Sequence, residues 1–164
     1  RVGGGTRLAE DAFAAEHGFA VEFAGPVRAW YGGASPEEAF GLGIGLEQRV
    51  FRLNRLRLAD GTPMALERAV IPSCFLIESD MKGDSLYATL ERRGFRPVNA
   101  LQRLTAVAAD AENASLLGIA TGAPALLITR VSRLADGRAV EFTHSLYRGD
   151  AYDFVAELRV GERA

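Results

Sequence analysis

The chain has 164 residues, of which 48% are apolar, and its 19 basic and 21 acidic residues give a net charge of −2 at neutral pH. This length and apolar content suffice for one compact domain with its own core, whereas the near-neutral charge excludes the basic surplus expected of a chain that grips a phosphodiester backbone. One cysteine excludes an internal disulfide framework, and with only two histidines it leaves too few ligands for a typical zinc site.

The chain begins with a glycine-rich run, and we interpret residues 1–9 as a linker remnant and residues 10–164 as the domain itself. Residues 11–17 have a helical pattern that Gly18 would end. No stretch approaches the roughly 18 uninterrupted apolar residues of a membrane span, and no charged-then-apolar leader is present. We therefore expect a cytoplasmic protein.

The next segment predicts one strand and one short helix. Residues 21–31 alternate and are rich in strand-forming residues, with a bulge or bend expected at Gly25 and Pro26. Ser35 then supplies a helix N-cap, followed by proline and two acidic residues in the first turn, so a brief helix is predicted as far as Leu42.

Two long hairpins dominate the rest of the chain. The first runs over residues 49–58 and 62–72, and the second over residues 125–134 and 138–148. Helices are predicted over 85–93 and 110–117, and further strands over 98–109 and 154–160. The predicted fold class is thus α+β, with a mainly antiparallel sheet and short flanking helices.

The two hairpins look like copies of each other. Gly43-Ile44 recurs 75 residues later as Gly118-Ile119, and the Ala-Asp-Gly turn at residues 59–61 recurs 76 residues later. A helix, a Gly-Ile stop and a hairpin therefore repeat, which indicates a sheet built from two related halves. Convergent turn chemistry is an equally good explanation, since Asp-Gly turns are common.

Arg55 and Arg57 are two residues apart on the first hairpin strand, so both guanidinium groups point to the face that carries Phe51 and Leu53. Two like charges on an apolar face need an anionic partner, because an unpaired buried charge costs several kcal/mol. The partner is either internal, with Arg55 paired to Glu67 and Arg57 to another carboxylate, or a bound anion.

The turn decides which side chains share this face. We predict a three-residue type I turn with Gly61 in the left-handed position, which pairs Leu53 with Glu67 and Arg55 with Ala65. The same turn in the second hairpin pairs Val131 with Glu141. Glu67 then lies on the arginine face, and a second polar set shares one face by alternation: Glu141, Thr143, Ser145 and Tyr147.

These residues together suit a small anionic metabolite. Arginine forks bind phosphate or carboxylate oxygens, and the predicted helix start at residues 85–87 adds hydroxyl and amide donors. The glutamates and the tyrosine suit the hydroxyl or amine groups of the same ligand.

Residues 51–67, 85–87, 140–142 and 147–150 resemble the UTRA domain, the effector-binding half of HutC-type GntR transcriptional regulators. The resemblance covers almost the whole chain. It implies a chorismate-lyase-like fold, a homodimer, and DNA contact only through a winged-helix domain that would precede residue 1.

The resemblance also assigns roles within the site. In members that sense phosphorylated amino sugars, the matching positions for the phosphate are Arg55, Arg57, Ser85 and Tyr87, and those for the sugar are Glu67, Glu141 and Tyr147. Residues 6–11 depart from that branch and are more like regulators that accompany phosphonate-uptake operons. Other branches recognise urocanate, trehalose phosphate or fatty acids.

Two other functions stay open. A chorismate-lyase-like enzyme acting on an anionic substrate is possible, although we find no nucleophile-base pair, no metal set and no cofactor loop, and therefore expect no catalysis, metal or cofactor. A dimerisation scaffold with a vestigial pocket is the third reading.

Four further residues have plainer expectations. Cys74 is expected to be a small buried hydrophobic residue, and His144 a surface or packing residue on the face away from Glu141. Trp30 and Tyr31 are expected to pack in the core or a dimer contact, with stacking on a ligand as the alternative.

Overall fold

The computed structural model describes residues 21–76 and 86–154, with side chains from residue 28 onward. Four predictions lie outside the described residues: the linker at residues 1–9, the helix over 11–17, Ser85, and the last strand beyond Phe154. These described ranges contain nine elements: β1 (Val21–Gly33), α1 (Pro36–Leu42), β2 (Arg49–Ala59), β3 (Thr62–Pro72), α2 (Leu86–Arg92), β4 (Asn99–Ala108), α3 (Ala111–Leu117), β5 (Pro124–Arg133) and β6 (Ala139–Arg148).

The six strands form one sheet in the order β1-β2-β3-β6-β5-β4, and every neighbouring pair is antiparallel. This confirms the predicted α+β class with its two long hairpins. The predicted break in the first strand is also present, as a register shift between Ala24 and Arg28. No helix in residues 21–76 or 86–154 is long and apolar enough to cross a bilayer.

The sheet order is symmetric about the contact between β3 and β6, as the sequence repeat predicts. The first half, β1-α1-β2-β3, corresponds to the second, β4-α3-β5-β6. Both helices end on a left-handed glycine, Gly43 with φ 65° and Gly118 with φ 66°. In each, the following isoleucine donates its N–H to a helix carbonyl at 3.0 Å, so the two stops have the same hydrogen bonds. The repeat thus extends from the turns to the helices and the strand order.

Helices cover both faces of the sheet. On one face lies α1, where Arg52 on β2 holds Glu38 through hydrogen bonds of 2.6 and 2.7 Å, and α3, where Asn113 accepts from Arg68 at 2.9 Å. On the other face lies α2, whose apolar residues pack against the buried side chains of β2 and β3 in the main core: Phe51, Leu53, Ala69, Ile71, Leu86 and Leu90. The arginine pair points to this second face.

The first hairpin turn differs from the prediction. Asp60 and Gly61 both have positive φ, 48° and 75°, so the turn has two residues, and Ala59 pairs with Thr62. The predicted pairs of Leu53 with Glu67 and Arg55 with Ala65 are wrong, because a register shift after Arg57 adds one residue to β3. Arg55 faces Glu67 instead. The shorter turn and the bulge each move the register by one residue, and a total shift of two residues keeps the side chains on their predicted face, so Glu67 lies on the arginine face, as predicted.

The second hairpin has the predicted turn but not the predicted register. Gly137 donates to the carbonyl of Leu134 at 3.0 Å and has φ 89°, as in a type I turn with a left-handed glycine. A register shift next to Arg133 then pairs Ser132, not Val131, with Glu141. The shift is a β-bulge, which local alternation does not reveal.

Cys74 is exposed, so its predicted burial is wrong. It lies in the turn that follows β3, and the side chains that enter the core after this strand are those of Phe75 and Leu76. His144 meets its expectation: it is half-buried on the α1 face, against the ring of Phe142 at 4.7 Å. Tyr31 packs on the core through Phe51, whereas Trp30 is partly exposed.

Candidate functional site

The candidate site lies on the α2 face of the sheet. Strand registers place five of the seven predicted residues on this face, namely Arg55, Arg57, Glu67, Glu141 and Tyr147. Tyr87 reaches the same region from α2, and Ser85 lies outside the described residues.

Arg55 and Glu67 are direct cross-strand neighbours and form an ion pair. Both side chains are largely buried, so the pair has little of the solvent screening that weakens surface ion pairs. The sequence left open whether the partner of Arg55 is internal or a bound anion, and this contact makes Glu67 an internal partner. Glu67 therefore forms its ion pair within the chain, with the guanidinium of Arg55.

Arg57 is held differently. Its Nη1 donates to the hydroxyl of Tyr147 at 3.1 Å, and both residues are buried, with 8% and 3% of their surface exposed. Tyr147 in turn stacks on Tyr152 with 4.1 Å between ring centroids. The phenol orients the guanidinium of Arg57 and contributes no charge.

Glu141 is the most buried acid of the site, with 2% of its surface exposed. Its Oε2 accepts hydrogen bonds from the hydroxyls of Tyr87 at 2.5 Å and Ser132 at 3.0 Å, which are themselves 3.2 Å apart. Burial raises the pKa of Glu141, and the charge of Glu67 adds to this, against the opposing effects of the two hydroxyls and Arg130. Burial and the Glu141 carboxyl also raise the pKa of Tyr87. The three groups form one compact polar cluster.

Sequence reasoning missed Ser132 and Arg130. Ser132 pairs with Glu141, and Arg130 pairs with Thr143 on the same face, with its Nε donating to Gln102 at 2.8 Å. The sequence repeat could have identified both residues, because Ser132 lies 75 positions after Arg57 and Arg130 lies 75 positions after Arg55. The repeat therefore brings the counterparts of both arginines to the second half of the site.

The arrangement favours anions. The described residues of the candidate site contribute three guanidinium groups and two carboxyl groups: Arg55, Arg57 and Arg130 against Glu67 and Glu141. Guanidinium groups bind phosphate and carboxylate oxygens, whereas the hydroxyls and carboxyls bind alcohols and amines. Within residues 21–76 and 86–154, no group of three His, Cys, Asp or Glu side chains could hold a metal ion.

Residues 30–153 match the UTRA domain family. The HTH-type transcriptional repressor NagR of Bacillus subtilis is 42% identical over 118 residues, which are 70% of this chain and 48% of that protein. The HTH-type transcriptional repressor PhnF of Mycolicibacterium smegmatis is 32% identical over 126 residues, 75% of this chain and 52% of that protein. The chain thus spans about half the length of these relatives.

Solved structures give the same result. The crystal structure of the effector domain of PhnF from Mycobacterium smegmatis superposes with a TM-score of 0.82 and 29% identity, covering 90% of this chain and 92% of that one. The crystal structure of PhnF from the same organism has a TM-score of 0.83 and 27% identity, covering 98% of this chain and 71% of that one. The predicted resemblance and fold are therefore confirmed, and the match is to a regulatory ligand-binding domain and not to an enzyme.

Proposed function

This chain belongs to the UTRA family, the effector-binding domains of GntR-type transcriptional regulators, and on that premise we propose that its α2-face site binds a small anionic metabolite. The ligand class is a phosphorylated sugar, a phosphonate or a carboxylate. The observation that carries the proposal is a pair of buried guanidinium groups, those of Arg55 and Arg57, on one face of β2.

Arg55 and Arg57 would hold the anionic head of the ligand. Arg55 is already paired with Glu67, so an incoming oxyanion would share or replace that carboxylate. Such an exchange is chemically reasonable, because each guanidinium has five donors in a fixed fork. Ser85, which the family resemblance also assigns to the phosphate, completes the proposed set.

Glu141, Ser132 and Tyr87 would bind the uncharged or amine-bearing end. Their hydrogen-bonded cluster offers acceptors to a ligand hydroxyl or ammonium group. The hydrogen bonds of Tyr87 to Glu141 and Ser132 place its hydroxyl beside the acid, so we propose that it contacts the middle of the ligand and links the two ends of the site.

We further propose that occupancy is relayed to a DNA-binding domain in a homodimeric, cytoplasmic regulator. The relay requires a ligand with unequal affinity for two dimer arrangements, with a typical coupling of about 1 to 3 kcal/mol. DNA contact would come from the half of the relatives that this chain does not span.

Calorimetry with three probes tests the binding proposal: inorganic phosphate, methylphosphonate and glucosamine 6-phosphate. The Arg57→Gln variant keeps a donor near Tyr147 but removes the charge, and we expect at least a roughly tenfold loss of affinity for the probe that binds. Arg103→Gln is the matched control, because Arg103 is exposed on β4, away from the site.

Two results would contradict the proposal. If Arg57→Gln and the wild type bind the probe with equal affinity, Arg57 does not belong to the ligand site. If the wild type binds none of the three probes and no compound in a wider panel of anionic metabolites, the result would favour a dimerisation scaffold with an unused pocket.

A further inference from the structure

A second cavity, of ≈ 470 Å³, lies at the opposite end of β2 from the arginine pair. Its wall combines the end of α1, the first residue of β2, the end of β3 and the β5–β6 turn. Arg49 at this cavity is six residues before Arg55 on the same strand, which corresponds to about 20 Å at the rise of an extended chain. None of the residues of the proposed effector site lines this cavity, although Arg133 directly follows Ser132 on β5, and the cavity volume is typical of small-molecule sites.

Three guanidinium groups line this cavity, those of Arg49, Arg133 and Arg138, and none of the described residues in its lining is acidic. Each group has a contact that restricts its direction. Arg49 lies over the ring of Tyr31 at 5.4 Å, Arg138 lies over the ring of Phe75 at 5.1 Å, and Arg133 donates to a turn carbonyl at 3.1 Å.

These cations are only partly neutralised. Arg138 pairs with Asp136 at 2.8 Å, in an exposed contact. In the described part of the chain, neither Arg49 nor Arg133 has an ion pair with a carboxylate. Like charges gathered around one concave surface raise the local concentration of counter-ions, so the cavity is electrostatically suited to an anion.

We propose that this cavity is a second anion-binding site, which takes a compact oxyanion such as phosphate or the phosphate group of a small ester. Arg49 and Arg133 supply the charge-assisted hydrogen bonds, and Arg138 adds a third cation that it shares with Asp136. Ser73 and Gln48 in the same wall offer neutral donors. The proposal does not depend on the function of the first site.

Cys74 provides a direct reporter of occupancy. It lines the cavity, it is exposed, and the sequence has no other cysteine. The rate of its reaction with the uncharged reagent 4,4′-dithiodipyridine can be followed while inorganic phosphate is added at constant ionic strength, with chloride as the replaced anion. We expect a saturable fall in rate of about threefold or more, because an anion bound in the cavity blocks the approach of the reagent to the sulfur.

Single variants then assign the effect to the cavity. Arg49→Gln and Arg133→Gln are each expected to raise the half-saturating phosphate concentration about tenfold, as for the loss of one hydrogen bond to a charged group. Arg103→Gln, which removes the same charge from an exposed position on β4, is expected to leave it unchanged.

The outcomes separate the two sites. Arg57→Gln, which disables the first site, is expected to keep the full Cys74 response, so failure of the proposed function leaves this inference standing. The second site is overturned if phosphate and chloride slow the reaction equally, or if both cavity variants saturate at the wild-type concentration.

Discussion

Replacing Glu141 by glutamine is expected to change the way in which the stability of the domain depends on pH. Glu141 is buried and accepts hydrogen bonds from two hydroxyls, and burial raises its pKa above the ordinary value of 4.5. Glutamine has nearly the same shape and its carbonyl oxygen can accept the same two bonds, but it does not ionise in this range. The variant therefore removes the titration while it retains most of the packing.

The sign of the effect follows from linkage. Because the folded state raises the pKa of Glu141, the contribution of this carboxyl is fully present below pH 4.5 and is lost as the pH rises through the folded value. Ionisation of a buried carboxyl costs several kcal/mol, and hydrogen bonds from Tyr87 and Ser132 to the charged form offset about 1.5 to 3 kcal/mol each. We therefore expect the stability of the wild type to fall by about 1 to 3 kcal/mol relative to the variant as the pH rises.

Urea unfolding of both proteins between about pH 5 and pH 8 measures this difference. Glu91→Gln makes the same change of side chain at an exposed position on α2, and its difference from the wild type is expected to stay within about 0.5 kcal/mol across the range. A wild type that gains stability over Glu141→Gln with rising pH would show that the cluster prefers the ionised acid, and the reasoning would then be wrong.

Two further predictions concern the backbone of the hairpins. Asp60 has φ 48°, so Asp60→Val is expected to cost about 1 to 2 kcal/mol more than Asp60→Gly on urea unfolding, because glycine adopts a positive φ without the penalty of a Cβ; equal costs would contradict the assigned turn. Gly149→Ala would place a Cβ 2.7 Å from the backbone oxygen of Pro124, which cannot move freely, and a loss of about 1 to 3 kcal/mol is expected; an unchanged melting temperature would refute this clash.

The two hairpin turns show where prediction from sequence stops. Both contain Leu-Ala-Asp-Gly, yet the first is a two-residue turn and the second a three-residue turn. In the second, Asp136 accepts hydrogen bonds from the backbone and Nε of Arg138 at 3.0 and 2.8 Å, whereas Thr62 stands at the corresponding position of the first. The neighbours of the turn therefore select its type, and these contacts form only in the folded chain.

The sequence predicted which face of the sheet a side chain occupies, even where it predicted the wrong cross-strand partner. Phe51 and Leu53 belong to the main core together with Ile71 and Ala69, and a slip by one residue would turn all the side chains of a strand to the other face. The shorter turn of the first hairpin thus needs a compensating bulge. Burial preserves the face, so Glu67 lies beside the arginines although its predicted partner was wrong.

Exposure and cross-strand contacts were harder to predict. Nothing in the local pattern distinguishes a buried Cys74 from one in a turn, because the end of β3 depends on where the sheet ends. Ser132 and Arg130 were not assigned to the site from the sequence for a different reason. Their cross-strand partners depend on the register of β5 against β6, and a bulge shifts that register.

The symmetry of the fold also bears on the shape of the ligand. The two halves place equivalent backbone positions on either side of the contact between β3 and β6, but the side chains at those positions differ. Arg55 has a counterpart of the same charge in Arg130, whereas the counterpart of Arg57 is the neutral Ser132, which donates to the acid Glu141. A ligand with two identical acidic ends would find two guanidinium groups and the carboxyl of Glu67 at one end of the site, but only one guanidinium, that of Arg130, beside a carboxyl and two hydroxyls at the other. This asymmetry supports a metabolite with one anionic end and one hydroxyl- or amine-bearing end, since only such a molecule would match both halves at once.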